Sequence, residues 1–487
     1  MRRLSLFALL LALAAFNASA GVKITILNTD NAGIGFNDAT PVQPIGGNPG
    51  TTLGAQRLNA FNYAASLWGQ ILDSSVPVVI SATFSPINSS SQPCTLTSAI
   101  LGAAGATQFV ANFTGAPQQN VAYPVALADK LAGKELLATG RVAHITARFN
   151  SLVDNVTCLG TSNWYYGFDG NHGKDIDLVA VLLHEFGHGL GFAGNINTDS
   201  GTFSGNIPSI FEVNTYDNKA GQTWMQMDAN GRLSSMTNTG HLAWNGAKVT
   251  SHARTLLKPS PVVTINAPAP IAKNYDIGLA SFGAPINATA ITANVVAAAD
   301  AADAAGALTT DACSAITNAS AIAGKWALVD RGNCEFVLKA TNVQAAGALG
   351  MIIADNAKTT CFPPGMGGGT TADPALITIP VISLTQDDGA AVRAQLPSAT
   401  VNVTAHTDST SLAGATQEGF AKLYAPCTFE PGSSIYHFDV TAFPNLLMEP
   451  AISDDVTHTG DLTVDFMQDI GWTLTPQAGG RTILRRR

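Results

Sequence analysis

The chain has 487 residues, more than one compact domain usually holds, so two domains or one domain with an insertion are expected. Hydrophobic residues make up 46% and charged residues 12%, which excludes a disordered or coiled-coil protein. A formal net charge of -9 argues against a nucleic-acid partner, which needs a basic face, and 46 Gly with 24 Pro exclude a helical bundle.

Residues 1–20 read as a signal peptide. Arg2 and Arg3 supply the positive start, Leu4 to Phe16 the apolar run, and Ala18-Ser19-Ala20 the small-residue cleavage site. No later segment reaches the roughly 18 uninterrupted apolar residues of a spanning helix, so a secreted protein with no membrane span is expected. Six cysteines in an exported chain imply three disulfides. Cys313 and Cys334, close together in one segment, are the preferred pair. Order along the chain pairs Cys94 with Cys158 and Cys361 with Cys427, although six cysteines allow fifteen connectivities.

After the signal, Lys23 to Asn28 alternates as a short strand, and the Gly/Asn/Pro-rich stretch from Thr29 to Gly54 reads as loop. Leu53 to Leu72 reads as an amphipathic helix, with Leu58, Phe61, Ala65, Trp68 and Leu72 at helical spacing. Val76 to Phe84 and His144 to Asn150 follow as β-rich runs, and a second helix begins near Asp177. Strand, helix, strands and helix in that order predict an α+β or α/β/α layer arrangement.

That second helix carries LVAVLLHEFGHGLGF, Leu178 to Phe192. His184 and His188 stand four apart, so on a helix both rings project from one face, as two nitrogen ligands of a tetrahedral zinc must. Glu185, on the adjoining flank, reaches the fourth position where water sits, the place of a general base. An apolar helix with incidental histidines is the competing account, and it leaves two His and a Glu buried without partners at considerable cost. Gly191 lies three residues past His188, where a positive φ ends the helix sharply.

These residues resemble the metzincins, zinc peptidases with H-E-x-x-H-x-x-G-x-x-H. The position of the third His is Gly194 here, so the third ligand comes from elsewhere. Three sources compete. Glu212 is 24 residues beyond His188, but Ser209 to Asp217 reads as strand or loop rather than as a ligand helix. Asp217 is a carboxylate whose bland role is a turn hydrogen bond. His437 lies 249 residues past His188, and Met448 follows it by eleven within Leu447-Met448-Glu449-Pro450. That pairing resembles the leishmanolysin-like metzincins, in which the third His is displaced downstream and precedes an L-M-x-P turn. The resemblance covers Leu178 to Phe192 and Gly432 to Trp472. It implies His184, His188 and His437 as zinc ligands, Glu185 as general base, and Met448 as an apolar floor.

Beyond about residue 260 the composition shifts. Pro261 to Pro270 is Pro-rich and Val295 to Ala307 is Ala-rich with scattered Asp. A compact α/β pattern follows: strand Lys325 to Asp330, helix Phe336 to Ala346, strands Leu349 to Asn356 and Ile379 to Thr385, and a helix opened by Thr385 with Asp388. KWALVDRGNCEF, AAGALGMIIADN and IPVISLTQDDGAAV resemble a protease-associated domain, whose family role implies substrate guidance or gated access. From about residue 406 the chain becomes turn-rich up to Trp472. The organisation expected is residues 1–20 signal, 21–262 and 405–478 a metzincin-like zincin domain, 263–404 an inserted protease-associated domain, and 479–487 a tail. The zincin domain should have a twisted sheet, an active-site helix and an irregular C-terminal part.

Smaller features have bland readings. Asp30, Asn37 and Asp38 offer oxygens to a calcium ion but lack EF-hand spacing. Trp164-Tyr165-Tyr166 fits a substrate groove or simple packing. His144, His172, His241, His252, His406 and His458 show no ligand spacing and read as surface or turn residues. The whole predicts a secreted zinc endopeptidase acting on proteins or peptides. An inactive secreted binding protein and a zinc amidohydrolase acting on a non-peptide amide are the alternatives.

Overall fold

The computed structural model describes residues 21–476 except 89–92, 161, 303, 305, 358–361, 370–371 and 454–455. The expected signal peptide, Cys361 and the tail from 479 lie outside the described residues. The chain is mixed α and β and forms two compact units. Among the described residues, one holds Gly21–Gly191, Thr457–Gly460 and Ile470–Pro476; the other holds Phe192–Val456 and Asp461–Asp469. Among the described residues no helix is long and apolar enough to cross a membrane.

The first unit contains β1 (Ile24–Asn28), α1 (Leu53–Ile71), β2 (Val78–Ser85), β3 (Gly102–Ala106), β4 (Ile145–Asn150) and α2 (Leu178–Leu190). Its sheet runs β1-β2-β4-β3, with β1, β2 and β4 parallel and β3 an antiparallel edge that pairs Gly102 with Phe149. Period-two patterning builds it: Val78, Ile80, Ala82 and Phe84 of β2 point inward and are buried. The Thr52 side chain caps α1 by accepting from the Ala55 N–H. Phe61 of α1 then meets Phe36, Phe149 and Phe186 edge-on, and its complete burial contributes about 2–3 kcal/mol.

Trp164, Tyr165 and Tyr166 pack into this unit: all three are buried, and the Tyr166 hydroxyl donates to Asp154 at 2.6 Å while accepting from Arg57 Nε at 3.1 Å. Asp30 does not present free oxygens to calcium either, since its carboxylate accepts the Phe36 and Phe84 N–H groups. Cys94 and Cys158 are joined, as expected from chain order.

The second unit begins with α3 (Ile210–Val213), β5 (Thr215–Asp217), β6 (Leu242–Trp244) and α4 (Ala247–Leu256). Strand or loop was expected at Ser209 to Asp217. Instead Ser209 and Glu212 form a capping box that closes one helical turn before the strand. The middle of the unit is an eight-stranded sheet made from β7 (Pro259–Ala267), β8 (Ile291–Ala297), β9 (Trp326–Asp330), β10 (Gly350–Ala354), β11 (Val381–Leu384), β12 (Asn402–Leu412) and the short strands Lys273–Tyr275 and Gly278–Leu279. The turn-rich reading from residue 406 is thus corrected: β12 runs on to Leu412, paired along its length with β7.

Successive residues of the parallel strands enter two different cores. Trp326, Leu328, Ile352 and Ala354 face one, and Ala327, Val329, Met351 and Ile353 the other. That is why these strands read as continuous apolar runs. Helix α5 (Phe336–Ala345) covers one face through Val337, Ala340 and Val343, and α6 (Gln386–Gln395) adds Val392 to the opposite core. The Thr385 side chain caps α6 by accepting from the Asp388 N–H, the start expected from sequence. Cys313 is joined to Cys334; Cys427 is also disulfide-bonded. Finally α7 (Leu462–Ile470) supplies Asp469, whose carboxylate accepts from Trp244 Nε1 and from the Lys248 and Val249 N–H groups at the start of α4.

Candidate metal centre

Every residue of α2 except His188 is buried, which explains its apolar sequence on all sides. Asp177 caps it, accepting from the Val179 and Ala180 N–H groups, and its other carboxylate oxygen meets His458 Nε2 at 2.7 Å. Trp68 donates to the Leu183 carbonyl, and Trp472 to that of Leu190, one of the carbonyls a helix C-terminus leaves without an intrahelical partner. Gly191 ends the helix at φ 149, and a Cβ there would overlap Ile470. The helix is therefore fixed at both ends and along one side.

His184 and His188 bring their Nε2 atoms to 3.1 Å. Zinc–nitrogen bonds of about 2.0–2.1 Å meeting at the tetrahedral angle place two nitrogens about 3.3 Å apart, so the pair fits a shared ion. Glu185 is buried beside them, with burial pushing its carboxyl up to about 8 against the opposing hydrogen bond from the Ala104 backbone of β3. His437 is also buried, and its Nδ1 stands 2.7 Å from the Ser433 carbonyl. A carbonyl only accepts, so the ring proton sits on Nδ1, and Nε2 is the nitrogen with which this ring would ligate a metal. His184, His188 and His437 each offer one ligand atom, and the three atoms lie within 4.8 Å of one another. Met448 is fully buried, its carbonyl accepting the Phe438 N–H next to His437.

The two carboxylates weighed as third ligand are engaged elsewhere. Asp217 accepts from the Lys219 and Ala220 N–H groups and from the Asn238 amide. Glu212 accepts from the Ser209 and Asn195 N–H groups and from the Tyr436 hydroxyl.

A second donor group was missed by spacing. Asp129, Glu135 and His144 also bring three ligand atoms within 4.8 Å, and His144, expected at the surface, is buried. Chemistry rules against an ion there. His144 Nδ1 accepts the Val79 N–H at 3.0 Å, which puts the ring proton on Nε2, 2.9 Å from Asp129 Oδ2. No nitrogen lone pair is left for a metal.

Residues 291–392 match the PA domain family. Among curated proteins, the chain is 43% identical over 82 residues to the ER degradation-enhancing alpha-mannosidase-like protein 3 of Xenopus laevis, a match spanning 16% of this chain and 9% of that protein. It is 38% identical over 88 residues to the probable lipoprotein aminopeptidase LpqL of Mycobacterium tuberculosis, covering 18% of this chain and 17% of the relative. The zinc aminopeptidase BSAP of Bacillus subtilis is similar at 22% identity and a TM-score of 0.22, over 33% of this chain and 36% of that one. The relatives' names differ in chemistry, so activity is argued from the side chains.

Proposed function

We propose that this chain is an exported zinc-dependent endopeptidase of metzincin-like, specifically leishmanolysin-like, type, with His184, His188 and His437 as ligands. The observation that carries this reading is the group of three imidazole nitrogens within 4.8 Å, with Glu185 one residue along the same helix. When bound, zinc supplies Lewis acidity for a water molecule and for the scissile carbonyl. The chain's own part is proton handling and orientation. Glu185 accepts the proton of the attacking water and returns it to the leaving nitrogen. The Ser433 carbonyl fixes the tautomer and tilt of His437. Met448, fully buried, is by the same resemblance the apolar floor of the site. A dead scaffold has no need of a buried glutamate at this position, which argues against a purely binding role. The inserted domain, by its family likeness, guides substrates toward the site.

The test is hydrolysis of casein or gelatin, lost on chelation and restored by zinc. Glu185→Gln should retain stoichiometric zinc while hydrolysis falls by about 10²–10⁴-fold. Full activity in that variant refutes the general base. Products limited to single N-terminal residues, or cleavage of non-peptide amides alone, refute the endopeptidase assignment.

A further inference from the structure

Position 194 is where an uninterrupted metzincin motif would place its third histidine, and the chain has glycine there. A Cβ on Gly194 would overlap Glu212 Oε1 and would stand 2.7 Å from Cε1 of Tyr436. Those two side chains are bonded to each other: the Tyr436 hydroxyl donates to Glu212 Oε1 at 3.2 Å. The same oxygen accepts the Asn195 N–H at 2.9 Å, and Oε2 accepts the Ser209 N–H at 2.5 Å. One fully buried carboxylate therefore joins three backbone pieces: the exit from the zinc helix, the single turn of α3, and the segment that carries His437.

That last segment needs support. Ile435, two residues before His437, is fully buried and holds φ at 68, a strained conformation that β-branched residues rarely adopt. Ladder bonds anchor its flanks, with the Ile435 N–H to the Tyr424 carbonyl and the Tyr424 N–H to the His437 carbonyl. Between those anchors the Tyr436 side chain has one polar atom, a hydroxyl that bonds Glu212 and the Ile196 backbone.

We propose that Glu212 is a positioning residue that, through Tyr436, fixes the His437 imidazole, and that Gly194 is required because the pair occupies the space of a side chain at that position. Sequence spacing makes Glu212 a rival ligand; its bonds instead make it the support of the ligand that replaces it.

The inference rests on the zinc reading, and one measurement separates the two. Zinc dissociation constants are determined by competition with a chromogenic chelator for wild type, Tyr436→Phe and Glu212→Gln, beside the thermal midpoints of the metal-free proteins. Tyr436→Phe removes only the hydroxyl and keeps the ring packed, so it decides the question even if Glu212→Gln fails to fold. Expected is a ten- to hundredfold weaker zinc affinity in Tyr436→Phe, matched in Glu212→Gln, with no further loss in the double variant. Wild-type affinity in Tyr436→Phe, whatever its midpoint, overturns the inference and leaves the zinc reading standing. Zinc lost only in Glu212→Gln marks Glu212 as a ligand and overturns it too. A wild type that binds no zinc overturns both.

Discussion

Gly189, between His188 and the end of α2, sets how closely that helix lies on the sheet. On an exposed helix Gly→Ala stabilises by about 1 kcal/mol, because alanine has less backbone freedom to lose. Here the added methyl would overlap Ile145 Cγ2 and would stand 2.9 and 3.0 Å from Cδ1 and Cγ1 of the same fully buried side chain. β-Branching leaves Ile145 no alternative rotamer at low cost, so helix and strand must separate, at about 1–3 kcal/mol for overpacking. Three close approaches to one residue favour the upper half of that range. Gly189→Ala should then destabilise by about 1–2 kcal/mol net. Urea midpoints of metal-free protein give the value, and Ile145→Ala provides the compensating partner. Alone, Ile145→Ala should cost about 2–5 kcal/mol, and combined with Gly189→Ala it should recover at least about 1 kcal/mol as the methyl fills the space. A Gly189→Ala protein more stable than wild type by the ordinary helix increment would refute the close helix–sheet contact.

Other expectations follow from the same geometry. Zinc analysis should give one ion per chain, unchanged in His144→Ala, because the Asp129–His144 pair has no nitrogen lone pair to offer; a second ion lost in that variant would overturn the tautomer argument. Arg57→Met should cost about 3 kcal/mol by thermal unfolding, since the buried guanidinium bonds Tyr166, Asp154 and the Gly35 carbonyl while lying 4.5 Å over the Phe84 ring. A loss below about 1 kcal/mol would show the cluster to be solvated. Lys339 is fully buried; burial holds its ammonium below its usual range, against the pull of Asp311, Asp300 and Asp330. Between that lowered value and 10.5 the unfolded chain binds a proton that the folded chain does not, so stability from this group rises with pH across the window. The stability of wild type relative to Lys339→Met should therefore increase from neutral pH toward 10.5, and a flat difference would sink the assignment.

What could be read from the chain was what is locally encoded. Asp177, Thr385 and the period of α2 carry their own capping and burial signals, and His184 with Glu185 and His188 is a contiguous chemical pattern. Strand β3 was illegible because Gly102 to Ala106 has little intrinsic β preference; pairing with β4 makes it a strand. Strand β7 was hidden by its prolines, since Pro261 to Pro270 reads only as a Pro-rich stretch, yet a register shift between Pro259 and Ser260 lets the ladder accommodate them. Glu212 was visible as a carboxylate at a plausible distance, but its role depends on Tyr436, 224 residues away, and no local window contains both. His144 was misplaced at the surface for the same reason: its partner Asp129 lies on another element, and burial follows from their pairing.

The large sheet of the second unit begins and ends at one point. Pro259 stands opposite Leu412, and just outside them the Ala413 N–H bonds the Lys258 carbonyl. Entry and exit of the chain are therefore side by side, and residues 259–412 form one closed excursion. Its removal would leave two loose ends already close enough to be spliced by a short turn.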